Sequence, residues 1–101
     1  MTRHEALTKL LPLVRRGEWS WVLADAAGLG GHTAFGAFSG SMDHAKALHT
    51  SLIDGADWAF PNSRRIVLSH SDFYDVSASG DDPARTWLVA IIMALIAKEE
   101  C

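Results

Sequence analysis

The stretch DDPARTWLVAIIMALIAK, residues 81–98, decides how the rest of the chain is read. Asp81 and Asp82 followed by Pro83 make a strong helix start, because an aspartate side chain accepts free backbone N–H groups and proline is tolerated at the first helical position. The helix is predicted over 83–99. Between Arg85 and Lys98 the segment carries no charge, so its whole circumference is apolar or small. A helix of that kind is normally buried on most sides. Leu88, Ile91, Ile92, Leu95 and Ile96 are expected to face a sheet. Ala90, Ala94 and Ala97 leave room for another helix or for a second copy of the chain. The uninterrupted apolar run, residues 87–97, is eleven residues long, whereas a membrane-spanning helix needs about 20.

Upstream of this helix lie short runs rich in aromatic and β-branched residues, which predict strands over about 57–60, 64–69 and 73–78. Pro61-Asn62-Ser63 and His70-Ser71-Asp72 separate them as hairpin turns do, so the three strands are expected to be antiparallel. In the third, alternation places Tyr74 and Val76 on the buried face. Before the strands, residues 41–54 form a helix with Ser41 as its cap, Asp43 in its first turn and Gly55 as its stop. Met42, Ala45, Leu48, Leu52 and Ile53 make the stripe expected to meet the sheet. The first helix, over 2–16, is amphipathic through Leu7, Leu10, Leu11 and Val14, with a kink expected at Pro12 and a stop at Gly17. Residues 18–40 show weak periodicity and read as irregular chain with at most a short helix. The class is therefore α+β, one domain over 1–101, with helices and a small three-stranded antiparallel sheet.

A chain of 101 residues buries about two-thirds of the surface it exposes when unfolded, enough for a core without metal or disulfide. The one cysteine, Cys101, can form no intrachain disulfide and excludes a cysteine zinc site, which suits a reducing compartment. Nine Lys and Arg against twelve Asp and Glu leave a net charge of −3, so nothing draws the chain to a polyanion and nucleic acid is not an expected partner. The N-terminal residues mix Arg3, His4, Glu5 and Lys9 with apolar ones, unlike a secretory leader. A cytoplasmic protein without membrane contact is expected.

Chemistry is hard to find in these letters. Gly28, Gly30 and Gly31 lack the preceding strand, third glycine and following helix of a dinucleotide site. A hydrolase triad drawn from Ser41 or Ser69, His49 or His70, and Asp72 or Asp75 has no nucleophile elbow or oxyanion motif around it. His44 and His49 are rotated about 140° from each other on a helix, a poor ligand pair. The alternative worth keeping is a small metal-dependent enzyme that uses His49, His70 and Asp72. Trp19 and Trp21, in the weakly periodic region, and Arg64 and Arg65, at a strand start, form the candidate contact surface, since Trp and Arg dominate interface hot spots. No catalytic residue, metal ligand or cofactor is assigned.

The order LLPLVRRGEW, GSMDHAKALH, ADWAF and DDPARTWLVAIIMALIAK, which spans nearly the whole chain, resembles the phage ABA sandwich domain proteins. The resemblance implies an α/β/α sandwich, in which helices flank the sheet, and a phage or prophage origin. It implies no activity and no site residues. The expectation is thus a non-enzymatic phage accessory protein that binds a host or phage protein in the bacterial cytoplasm, with an anti-CRISPR-like role as one specific form. A structural homo-oligomer, most simply a homodimer, is the remaining alternative.

Overall fold

The computed structural model describes residues 1–100 except Ser63, Asp72 and the side chain of Tyr74. Its organising element is the last helix, α5 (Pro83–Glu100). Asp82 Oδ1 accepts the backbone N–H groups of Ala84 at 3.0 Å and Arg85 at 3.1 Å, so the helix starts where the Asp-Pro signal places it. Every residue from Thr86 to Ile92 is buried, as are Ala84, Ala94 and Leu95. A helix buried around its full circumference has neighbours on all sides. Here β2 and β3 lie on one side and α1, α3 and α4 on the others.

The sheet is a meander of β1 (Asp57–Asn62), β2 (Arg65–His70) and β3 (Tyr74–Ser79), antiparallel throughout and in the order β1-β2-β3. Each strand falls within two residues of its predicted bounds. Leu68 stands opposite both Trp58 and Val76, and Ile66 opposite Ala78. Ile66, Leu68, Val76 and Ala78 are buried, while Asp75, Ser77 and Ser79 are exposed, the period-two pattern of a half-buried sheet. Register slips between Ala59 and Asn62, around Pro61, which has no N–H to give to a ladder. The α+β class with helices packed on a three-stranded antiparallel sheet is as the sequence predicts. Its layers run from the sheet through α5 to α1, α3 and α4.

The first helix, α1 (Arg3–Arg15), is capped by Thr2 and buries Ala6, Leu7, Leu10 and Val14. It runs through Pro12 as one element, with the ring on the solvent side. Gly17, at φ 83°, adopts the left-handed conformation that ends it.

Residues 18–40 are not irregular, in correction of the sequence reading. They form α2 (Trp21–Ala26) and α3 (His32–Phe38), of six and seven residues. Such helices are too short to show a 3.6-residue period. What holds α2 is its cap, Ser20, whose hydroxyl accepts the N–H of Leu23.

The fourth helix, α4 (Met42–Leu52), is capped by Ser41 as expected, but it packs on α3 and α5 and not against the sheet. Met42 is exposed and His49 is buried in the face it was to occupy. The alanine face of α5 also has its partner within the chain. Ala90 and Ala94 are fully buried, so their neighbours lie within the chain, while Ala97 is partly buried against the core.

Candidate functional site

The most unusual surface follows from where α2 and α3 put their large residues. Their inner faces, with the turn after α2, are lined by Ala24, Ala27, Ala34 and Ala37, all buried. Small residues let the two short helices lie close to the core, so the bulky side chains point outward. Trp21 is 47% exposed, Val22 77% and Phe35 37%. Trp19 and Phe38 form the base beneath them.

The rings make one continuous cluster. Trp19 meets Trp21 edge-on at 5.8 Å between centroids and Phe35 at 5.9 Å. Trp21 and Phe35 are 5.0 Å apart, and Trp19 and Phe38 5.2 Å. These separations are those of favourable aromatic pairs. The Arg85 guanidinium lies 4.4 Å over the Phe38 ring, and its Nε donates to the Phe38 carbonyl at 3.1 Å, which ties the cluster to α5. Trp19 Nε1 is buried without a hydrogen-bond partner among the described residues.

The structure thus separates the two tryptophans singled out in the sequence: Trp21 is surface and Trp19 is half-buried support. Sequence reasoning missed Val22 and Phe35. The available signal was the contrast between four inner alanines and the bulky residues between them.

Arg64 and Arg65 lie at the β1–β2 turn. The Arg64 side chain pairs with Asp81, both exposed, and its backbone N–H donates to Asn62 Oδ1 at 2.9 Å. Arg65 is exposed and stands opposite Asn62 and Ser79. Asp81, Asp82 and Arg85 at the start of α5 connect this corner to the aromatic cluster. The two candidate pairs therefore flank one end of the same helix.

The histidines gather into no centre. His49 is buried, and Trp87 Nε1, a donor only, gives its hydrogen to His49 Nδ1 at 3.2 Å. His49 Nε2 must then carry the ring proton, which it donates to the Ala56 carbonyl at 2.8 Å. Both nitrogens are occupied, so the metal-dependent alternative loses His49 as a ligand. His70 stacks on Phe73 at 5.6 Å, and Asp72 lies outside the described residues. Among the described residues no group of three potential ligands could hold a metal ion.

The triad candidates also disperse. Ser41 caps α4 and contacts His44 Nδ1 at 2.6 Å, while Ser69 donates to Asp75 at 2.7 Å on the solvent side of the sheet.

Among the described residues no helix is long and apolar enough to cross a membrane. Comparison of the chain with protein-family models, curated proteins and solved structures finds no match.

Proposed function

We propose that the chain is a non-enzymatic binding protein that docks another protein on the aromatic face of α2 and α3. The observation that carries this is the joint exposure of Trp21, Val22 and Phe35 over a base of Trp19 and Phe38. Exposed residues scattered singly need no explanation, whereas a contiguous patch built on tryptophan has the composition of an interface core. Asp25 is the one carboxylate on α2 and α3, neither helix carries Lys or Arg, and the chain is at −3. A partner with an apolar centre and a basic rim complements that surface.

The resemblance to phage ABA sandwich domain proteins supports a phage or prophage accessory protein acting in the bacterial cytoplasm. Its partner is then a host or phage protein, and a component of host defence is the target in an anti-CRISPR-like role. The test uses the full chain as bait in lysate of a bacterial host, beside Val22→Asp. One specific protein recovered by the wild type and lost with the variant, at unchanged melting temperature, supports the reading. Equal recovery by both, or no specific protein at all, overturns it.

A further inference from the structure

The sheet ends at β1, which bonds to β2 along one edge and, among the described residues, to no strand along the other. Such an edge presents a row of backbone N–H and C=O groups, a template for another extended chain. Pro61 blunts the far end of β1, because it has no N–H to donate. Residues 57–60, before it, carry Asp57 as their single charge.

The side chains of this edge are the independent observation. Trp58 stands opposite the buried Leu68, so it belongs to the face of the sheet that packs on the helices. Phe60, two residues on, shares that face. Both rings rest on Trp87 of α5, at 4.6 and 5.7 Å between centroids. The helix itself packs on β2 and β3 and reaches β1 through that ring. Trp58 is accordingly 45% exposed and Phe60 partly exposed, at positions where a sheet normally buries its residues. The two edges differ in this respect. On β3 the matching inner residues, Val76 and Ala78, are already buried, so a strand added there would cover neither.

We propose that β1 pairs antiparallel with β1 of a second copy about a two-fold axis at Ala59, which doubles the three-stranded sheet to six strands. Directly opposite residues of an antiparallel pair share a face, and β1 fits itself in this register. Trp58 of each copy stands opposite Phe60 of the other, a cross-strand aromatic pair made twice. Ala59 meets Ala59 on the solvent face, where its small side chain leaves the strands free to approach. No other centre on the strand gives both aromatics an aromatic opposite. Asp57 falls opposite Pro61, so like charges do not meet and the missing N–H sits at the end of the ladder. So short a pairing makes a small interface, of the kind that forms and separates with concentration. None of these residues belongs to the docking face on α2 and α3.

The test is sedimentation velocity on the full chain from dilute to millimolar concentration. A reversible shift from monomer to dimer is expected. Ala59→Lys, at an exposed position, sets two like charges against each other across the axis and weakens the dimer about tenfold. Ala59→Asp does the same. At that exposed site neither variant changes the melting temperature of the dilute monomer. An equimolar mixture of the two recovers association, because the axis then joins opposite charges. Val22→Asp, on the other face, leaves the dimer as it is.

Monomer alone at the highest concentration overturns the proposal, as does loss of the dimer with Val22→Asp. Equal or tighter association of Ala59→Lys, which a register with Ala59 opposite Asp57 would give, overturns the axis at Ala59. Failure of the mixture to recover association does so as well.

Discussion

Helix α5 and the α2–α3 pair are built on opposite plans. Of the eighteen residues of α5, ten are buried, among them Trp87, Leu88, Ile91 and Ile92. In α2 one residue of six is buried and in α3 three of seven, and three of those four are alanines. Apolar content is high in both regions, so it does not distinguish them. The side on which the large residues stand does. Where bulk points inward it supplies burial free energy, and where it points outward over an alanine floor it offers a surface to something else.

Substitutions can break this contrast. Ile91→Ala, at the centre of the buried helix, should lower unfolding free energy by about 2–5 kcal/mol, read from the urea midpoint. A loss under 1 kcal/mol would show that α5 is not the core the contacts describe. His49→Ala leaves the Trp87 N–H without an acceptor and the Ala56 carbonyl without a donor, and should cost about 2–3 kcal/mol. A double-mutant cycle with Trp87→Phe should return about 1 kcal/mol of coupling, and additivity would mean that the pair does not interact.

Smaller effects test the periphery. Ser41→Ala, which removes the cap of α4, should cost about 1 kcal/mol, measured by thermal unfolding. At the bottom of the scale, Val22→Asp should change stability by no more than about 0.5 kcal/mol. If calorimetry found it as damaging as Ile91→Ala, the outward face of α2 would have to be part of the core.

Segments with a full period were legible in the sequence. The uncharged run between Arg85 and Lys98 identified α5 as buried, and the alternation Asp75-Val76-Ser77-Ala78 fixed the face of β3. Residues 18–40 were not legible, because six- and seven-residue helices are specified by caps and tertiary contact more than by amphipathic pattern. Ser20 was the one local signal available. His49 lies four residues after Ala45 and beside Leu48, so the spacing carried a sign of its burial that the sequence reading, which kept it as a candidate ligand, did not use. Of the candidate contact residues, Trp21 could be named from composition. Whether Trp19 or Trp21 stood outside depended on the alanines of α3, more than ten residues away in sequence.

The helix on which α1, α3, α4 and two strands all rest follows every one of them in sequence. Without it, Leu7, Leu10, Ile66 and Leu68 have no shaft to close on. Closure of the fold is therefore a long-range event, in which pieces far apart along the chain gather around one rod.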